Sequence, residues 1–415
     1  MGLFNRKTGK RHVSNPTTEL LRIFGVGGAN SKSGIRVTSE EALKISTVFA
    51  CTNLITGAMA SLRVNLYKRM PDGKGKKKAH DHKIYELLHD LPNPSTTAFD
   101  FWVMYIINLL LTGDGIAVVV RDGNGAVTEL WNVPSGNVTI HTNEVTGEVY
   151  YVIKDDKGSE KIYYTENILH TRGMRFNNTS KSIDPVAKAR EAMGLTMALE
   201  EYGGKFFSNG ANTGGIVQIK GTLSDDAFKR FSDSFKAKYD GIGNSSKVMF
   251  LEEGTEFVKL GTDPDKAQSL ESRRFQIAEI ARYFYNVPLH KILELDRATF
   301  NNIEQMNTAF VQDCLNPISV RIEQSIYKSL LTPAERPILY AKFNTNALLR
   351  GDMTSRKDFY AVMIRNGVFS PNDVLDLEDM NQYEGGDVHF VNGSSIPVDR
   401  LYEAYVKDNQ GKGGE

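Results

Sequence analysis

The sequence contains few cysteines, no excess of charge of either sign and no long uninterrupted hydrophobic run. Only two cysteines, Cys51 and Cys314, occur in 415 residues, so the chain can form neither a disulfide framework nor a cysteine-rich zinc site. Both lie in apolar helical patterns and are expected to be buried, reduced thiols. Lys plus Arg and Asp plus Glu number 50 each. Proteins that grip nucleic acid tightly usually carry a basic excess, so we expect any nucleic acid to be guided rather than clamped.

The most apolar stretch is residues 101–120, FWVMYIINLLLTGDGIAVVV, and it is interrupted by Asn108 and by a turn at residues 112–115. A membrane-spanning helix needs about 20 mostly apolar residues without such a break. The pattern therefore predicts a buried helix, a turn and a buried strand, and no membrane partner. The opening residues MGLFNRKTGK also lack the apolar core of a signal peptide.

The first half of the chain contains a basic segment followed by a region of mixed helix and strand patterns. Residues 1–36 hold seven Lys or Arg and one acid, which predicts a flexible basic N-terminal arm. Residues 37–184 combine apolar helices with alternating strands and glycine turns. They predict an α+β domain in which helices pack on a largely antiparallel sheet, and the lysine run near residue 76 is interpreted as a turn. A strand within residues 336–350 is expected to return to this sheet.

Two long helices enclose a small insert in the second half. Residues 185–211 predict a helix with Pro185 in its first turn. Residues 212–262 predict a small αβ unit whose helix is capped by Ser224. Residues 263–287 predict a second helix about 35 Å long. Such a stalk with a small head is an unusual place for an enzyme site.

The stretch LDRATFNNIEQMNTAFVQDCLNP, residues 295–317, places an acid, a base and neighbouring amides before a helix. Such a stretch is compatible with an active-site loop or with a polar lip. The helix is expected to run from about Phe300 to Leu331, and Pro317 predicts a kink within it. Beyond this region, which spans residues 288–335, residues 351–390 predict two short helices and residues 391–415 a polar tail.

No pattern for catalysis or cofactor binding is complete. The sequence lacks a Walker A motif, a G-x-S-x-G elbow, H-E-x-x-H and C-x-x-C. The histidines between residues 80 and 89 lack a further ligand at a known metal spacing and are interpreted as surface residues. No catalytic residue, metal or cofactor is therefore predicted. Two alternatives stay open: a membrane pore based on residues 101–120, and a metal-dependent DNA-processing enzyme using the acidic pairs Asp155, Asp156, Asp225 and Asp226.

A set of segments in a fixed order carries a family resemblance. They are STVFACTNLITGAMASLRVNLYK, LPNPSTTAFDFWVMYIINLLLTGDG, VRDGNGAVTELWNVP, ENILHTRGM, FFSNGANTGGIVQIKGTLSDDAF, AQSLESRRFQIAEIARYFYNVPLHKIL, ATFNNIEQMNTAFVQDCLNPISVRIEQSI and LLRGDMTSRKDFYAVMIRNGVFSPNDVLDLEDMNQYEGGD. Over about residues 40–388 the sequence resembles tailed-bacteriophage portal proteins of the HK97-like type. It departs from the family's usual glycine-asparagine-aromatic turn, where it has Gly113, Asp114 and Gly115.

The resemblance implies a multi-domain portal fold. Residues 37–184 and the returning strand 336–350 would form an antiparallel-sheet wing. The helices of 185–211 and 263–287 would form a stem, 212–262 an αβ clip, 288–335 a tunnel loop and tunnel helix, and 351–390 a short helical crown. The family forms a ring of about twelve subunits with closed symmetry. That ring occupies one vertex of the phage head, where DNA is packaged and later ejected.

The resemblance also implies site residues and partners. The residues expected to line the DNA tunnel are Asp296, Arg297, Thr299, Asn301, Asn302 and Gln305. Those expected at the clip interface with terminase and adaptor are Ile216, Gln218, Lys220, Phe250, Glu252 and Glu253. The implied partners are further copies of the chain, double-stranded DNA bound without sequence specificity, the terminase large subunit, the head-tail adaptor, and the major capsid protein or scaffold. Assembly is expected in the bacterial host cytoplasm, and the final location is the virion.

Overall fold

The computed structural model describes most of the chain and divides it into two compact units, residues 1–344 and residues 345–415. The described residues are 30–71, 75–155, 157–176, 180–208, 215–219, 221, 224–239, 255–259, 266–293, 306–345, 353–378 and 380–390. Within these ranges, no helix combines the length and the apolarity that a membrane crossing requires.

Helices and strands are mixed in the first unit, whereas the described part of the second unit contains only helices. The α-helices are α1 Ser39–Ala42, α2 Ser46–Ser61, α3 Lys83–His89, α4 Ala98–Thr112, α5 Pro185–Ser208, α6 Asp225–Tyr239, α7 Lys266–Tyr283 and α8 Asn316–Ser329, followed in the second unit by α9 Met353–Arg365 and α10 Pro371–Leu377. The strands are β1 Val64–Arg69, β2 Lys76–Lys78, β3 Asp114–Arg121, β4 Val127–Asn132, β5 Val138–Thr142, β6 Val149–Lys154, β7 Glu160–Tyr164, β8 Ile168–Arg172, β9 Gly215–Ile219, β10 Thr255–Lys259 and β11 Leu339–Phe343.

The predicted α+β character is confirmed, but the strands within residues 37–184 and 336–350 do not form one continuous sheet. They form separate three-stranded antiparallel sheets in the orders β11-β1-β2, β4-β3-β8 and β5-β6-β7. Helix α4 contacts two of these sheets: Tyr105 hydrogen-bonds to Thr171 on β8, and Trp102 packs edge-on against Phe343 on β11 with ring centroids 5.9 Å apart. This apolar helix therefore links the two sheets.

The sheet around β1 confirms one expectation and corrects another. Strand β11 pairs antiparallel with β1, so the chain does return to the first sheet. The lysine run was interpreted as part of a turn, whereas Lys76–Lys78 forms strand β2. The Lys76 ammonium lies 4.6 Å from the centroid of the Tyr67 ring, and lysines are well tolerated on an edge strand because they discourage further pairing.

The main core of the first unit is largely helical. Helix α2 buries Val48, Cys51, Ile55 and Met59 at the spacing of one helix face. Both cysteines are free and buried, as predicted, and burial raises the pKa of each thiol to about 12. The thiols therefore act as small apolar groups in this core.

The helix around Pro317 is irregular just before the proline. Residues 306–309 are α-helical, Phe310–Leu315 form a π segment, and α8 follows with Pro317 in its first turn. Proline lacks the N–H that would reach the Asp313 carbonyl, and its ring crowds that carbonyl. A π segment widens the helix locally and accommodates both effects. The change of helix type falls just before Pro317, where the kink is predicted.

The second unit is held by polar contacts around α10. Ser370 and Asp373 form a capping box at the start of this helix. Glu378 accepts hydrogen bonds from Arg356 and Tyr360 on α9. These contacts join the two helices that the sequence predicts in this region.

The last residues of the predicted basic arm are ordered. Asn30 pairs with Arg36 in a tight turn, and the Ser31 side chain is buried against α5. A Cβ atom added at Gly194 would overlap the Ser31 side chain. The Lys32 backbone amide also donates to Glu191 at 3.0 Å. Residues 30–36, which the sequence assigns to the flexible arm, therefore pack against α5.

We predict that Gly194→Ala displaces the turn at residues 30–36. The added methyl group meets Ser31, and overpacking of this kind costs about 1 to 3 kcal/mol. Proteolysis or hydrogen exchange at residues 30–36 should accelerate. On the same helix, Gly203 has open space around its Cβ position. Gly203→Ala should therefore stabilise the protein by about 0.5 to 1 kcal/mol. Equal behaviour of the two variants would contradict the packing described here.

Candidate functional site

Helices α5 and α7 form the two-helix stalk that the sequence predicts. Asp184 caps the start of α5, where its carboxylate accepts from the Ala187 backbone amide at 2.9 Å. The stalk helices meet at Thr196 and Gln276, whose side-chain oxygens are 3.4 Å apart. The end of α7 enters the main core through Ile280, which is fully buried. The stalk is therefore anchored in the same core as the wing helices.

The small head consists of β9, α6 and β10. Strands β9 and β10 pair antiparallel, and Gln218 lies opposite Glu256. The Ser224 hydroxyl accepts from the Ala227 backbone amide at 3.4 Å, which confirms the predicted cap of α6. Of the predicted clip residues, Ile216 and Gln218 lie on β9, and Gln218 is exposed. The others, Lys220, Phe250, Glu252 and Glu253, lie outside the described residues.

All the predicted tunnel residues, Asp296, Arg297, Thr299, Asn301, Asn302 and Gln305, also lie outside the described residues, but both flanks of this stretch are described. His290 precedes the stretch and Asn307 follows it, and His290 Nε2 lies 3.4 Å from Asn307 Oδ1. Lys291 also lies over the Phe310 ring at 5.8 Å from its centroid. The two ends of this stretch, at residues 293 and 306, are therefore close together.

A buried polar cluster, which the sequence did not reveal, joins the wing to the stalk. We define the Asp114 cluster as Asp114, Tyr151, His170 and Ser182. The Asp114 carboxylate lies 2.9 Å from His170 Nε2 and accepts from the Ser182 hydroxyl at 2.6 Å and from the Ser182 backbone amide at 3.2 Å. The Tyr151 hydroxyl lies 2.9 Å from His170 Nδ1. These contacts connect β3, β6 and β8 to the segment that precedes α5.

The protonation states in the Asp114 cluster follow from burial and hydrogen bonding. Burial opposes ionisation of Asp114, but the hydrogen bonds from His170 and Ser182 outweigh it and lower the carboxyl pKa. Burial also lowers the pKa of His170, although the Asp114 charge opposes this. We assign a neutral imidazole whose Nε2–H donates to Asp114 and whose Nδ1 accepts from the Tyr151 hydroxyl.

The Asp114 cluster contains serine, histidine and aspartate but does not have the arrangement of a catalytic triad. In a triad the serine donates to the histidine, which acts as its base. Here Ser182 donates to the carboxylate, and the histidine accepts from a tyrosine. Each of these side chains is enclosed, so no substrate has access. The cluster is suited to holding two regions together.

Glycine at position 113 allows this close approach. Gly113 has φ +86°, and a Cβ atom there would collide with the Ile183 carbonyl. Its carbonyl accepts from the Gly173 amide at 2.8 Å. The turn that departs from the family's usual pattern is thus the point where the cluster forms. The glycine pair flanking Asp114 is the sequence signal that could have indicated it.

The residues weighed for a metal site have structural roles. His82 caps α3 by accepting from the Ile84 amide at 3.2 Å and also contacts Glu335. Asp155 accepts from two backbone amides in a hairpin turn. Asp225 and Asp226 occupy the first turn of α6. Across the described ranges, no cluster of three His, Cys, Asp or Glu side chains could hold a metal ion. Asp156 lies outside those ranges.

The chain belongs to the phage portal protein family, whose model matches residues 46–379. Portal proteins are structural components of the capsid and are not enzymes. The family thus confirms the structural interpretation and gives no support to the metal-dependent enzyme.

Individual relatives agree with this assignment. The probable portal protein of Streptomyces phage phiC31 is 30% identical over 373 residues, covering 86% of this chain and 79% of the relative. The portal protein of Enterobacteria phage HK97 is 29% identical over 370 residues, covering 88% of this chain and 85% of the relative.

Solved structures show the same fold at low sequence identity. The crystal structure of an HK97 family phage portal protein from Corynebacterium diphtheriae has a TM-score of 0.55 at 18% identity and covers 75% of this chain and 96% of that chain. The neck of a native gene transfer agent particle, computed with C12 symmetry, gives a TM-score of 0.52 at 19% identity and covers 89% of this chain and 95% of that chain.

The Asp114 cluster predicts a pH dependence of stability. Because the pKa of His170 is lowered in the folded state, the unfolded chain binds more protons as the pH falls below about 7. The free energy of unfolding should therefore decrease as the pH is lowered through the ordinary titration range of histidine. His170→Gln keeps a donor for Asp114 and cannot titrate, so it should flatten this dependence. The lost acceptor for Tyr151 should cost about 1 to 3 kcal/mol at pH 7.5.

Chemical denaturation between pH 5.5 and pH 7.5 measures this effect. His141 is exposed on β5, and His141→Gln is the matched control that should retain the wild-type slope. A slope unchanged by His170→Gln would show that this histidine does not titrate in the way we assign.

Proposed function

We propose that this chain assembles into a closed ring at one vertex of the phage head and that double-stranded DNA passes through the centre of the ring. The observation that carries the proposal is the match of the portal family over residues 46–379, which spans the wing, both stalk helices, the head and α8. The ring in the related neck was computed with C12 symmetry, and we extend ring formation, with about twelve copies, to this chain.

Exposed apolar side chains support assembly. Phe49, Leu195 and Phe275 are respectively 59%, 44% and 58% exposed and lie on α2, α5 and α7. Exposed large apolar side chains on these helices are available for burial by a neighbouring molecule. In a ring, each copy offers such a surface to its neighbour, and the contact is heterologous.

We assign the tunnel lining to Asp296, Arg297, Thr299, Asn301, Asn302 and Gln305. Their flanks meet at His290 and Asn307, and α8 follows after the π segment. A channel that moves DNA must not hold its phosphates tightly. A lip of amides and hydroxyls with one acid-base pair, in a chain of zero formal net charge, meets this requirement.

The head formed by β9, α6 and β10 is the proposed clip. It is the surface that would contact the terminase large subunit during packaging and the head-tail adaptor afterwards. Gln218 and Glu256 are exposed and lie opposite each other on its two strands. Among the described residues these strands form a two-stranded sheet, and the outer edge of such a sheet can accept a further strand from a partner. The wing would contact the major capsid protein or scaffold, and assembly would take place in the bacterial host cytoplasm.

The experiment that tests ring formation combines analytical ultracentrifugation with negative-stain microscopy of the purified protein. We expect closed particles with a central opening and a discrete mass of many copies. A chain that stays monomeric at every salt and protein concentration, and also in the presence of capsid scaffold, would contradict the proposal.

For the tunnel loop, we predict that Arg297→Ala and Asn302→Ala leave ring assembly intact and change the amount of DNA packaged or retained. The reason is that these side chains contact moving DNA and not a neighbouring copy. Packaged DNA per particle is the measurement. Asn124 lies at the exposed tip of the β3–β4 hairpin, so Asn124→Ala is the matched control. Loss of assembly in the loop variants would show that this stretch is a subunit interface.

A further inference from the structure

A groove with unmet hydrogen-bond donors lies where α2 meets the two stalk helices. Its volume is about 340 Å³, room for roughly ten water molecules. Ser46 and Thr47 of α2, Glu200 of α5, and Arg273 and Gln276 of α7 contribute to its lining. None of these residues belongs to the predicted tunnel or clip sites.

The first donors are backbone amides at the start of α2. This helix has 16 residues, and its N-cap residue, Ile45, makes no side-chain capping hydrogen bond. The amides of Thr47 and Val48 have no acceptor among the described residues. An uncapped helix N-terminus carries partial positive charge and favours an anion.

Two buried side chains add further donors. Gln276 is only 8% exposed, and its sole hydrogen bond within the described part is the long contact of its oxygen with Thr196. Its amide nitrogen is left for an occupant of the groove. Thr47 is 7% exposed, and its hydroxyl has no partner among the described residues. Because both side chains line the groove, an acceptor that enters it can pair with these donors.

A guanidinium group adds to these donors. Arg273 contributes it, beside the carboxylate of Glu200. Amide N–H, hydroxyl and guanidinium groups converging on one space are the donors that bind a carboxylate or a phosphate oxygen.

The geometry points to an oxyanion site occupied by the carboxylate of an Asp or Glu side chain from a second copy of this chain. This inference rests on the proposed ring. A free inorganic anion would satisfy the donors but would leave Phe49, Leu195 and Phe275 in water on the same three helices. A neighbouring copy covers the apolar side chains and supplies the carboxylate together. The contact would fix the register between adjacent stalks.

Zero-length cross-linking identifies the occupant directly. Arg273→Lys places an amine in the groove, and a water-soluble carbodiimide joins an amine only to a carboxylate in contact with it. Rings are assembled from mixed isotope-labelled and unlabelled copies and then analysed by mass spectrometry. We expect a product between position 273 and an acidic residue of a different copy, formed in rings and absent from unassembled protein.

Arg282 lies on the same helix, outside the groove, and contacts Glu279 at 2.6 Å. Arg282→Lys therefore serves as a control for the chemistry and should give a product within one copy. Intact rings in which position 273 joins only Glu200 of its own copy, or no residue, would overturn the inference.

A second variant measures the contribution of the buried amide. Gln276→Met keeps the shape and removes the donor. A hydrogen bond to a charged group contributes on the order of 1.5 to 3 kcal/mol, so the protein concentration at half-assembly should rise at least about tenfold. Gln324 is exposed on α8, and Gln324→Met should leave this concentration unchanged.

The failure of this inference is distinguishable from the failure of the ring. If wild-type protein forms no ring, the proposed function fails. If rings form and Gln276→Met assembles at the wild-type concentration, only the oxyanion contact fails. Stabilisation of unassembled wild-type protein by inorganic phosphate, lost in Gln276→Met and without any product between copies, would assign the groove to a free anion and overturn the second copy as its occupant.

Discussion

The buried carboxylate of Asp114 is the interaction on which the connection between sheets and stalk depends. An enclosed charge is tolerated only when hydrogen bonds replace its water, and here His170 and Ser182 supply them. Because these donors come from β8 and from the segment before α5, the hydrogen bonds hold the two regions together. Arg321 of α8 donates to the carbonyls of Arg172 and Gly173 at the end of the same strand. Wing, stalk and the helix after the proposed tunnel loop therefore converge at one place.

This arrangement separates residues that fix the subunit from residues that are available to partners. The buried faces of α2, α4 and α8 form one core, and the stalk enters it through the end of α7. The opposite faces carry exposed apolar side chains and, in the groove beside α2, donors without acceptors. In the proposed ring, a neighbouring copy would cover this surface. On this proposal, stability of the subunit and recognition between subunits are located on different sides of the same helices.

Local chemistry explains which features could be predicted from sequence. The cap at Ser224, the capping box at Ser370, the hairpin turns and the apolar face of α2 depend on residues close together in the chain. The division of the strands into separate sheets depends on which distant strands pair, which no local pattern records. The Asp114 cluster joins residues 56 and 68 positions apart, and the groove needs three helices from distant segments. The turn at residues 30–36 was missed because its basic composition is typical of a tail, whereas Gly194 creates the space that holds it.

The decisive measurement is a cryo-electron microscopy reconstruction of the assembled particle, because it places each residue at a measured radius from the symmetry axis. We expect residues 294–305 to form the innermost wall of a central channel wide enough for double-stranded DNA. We also expect β9 and β10 to lie together at one end of the particle. A closed particle in which residues 294–305 lie on the outer perimeter, or which has no axial channel, would show that the chain does not guide DNA in this way.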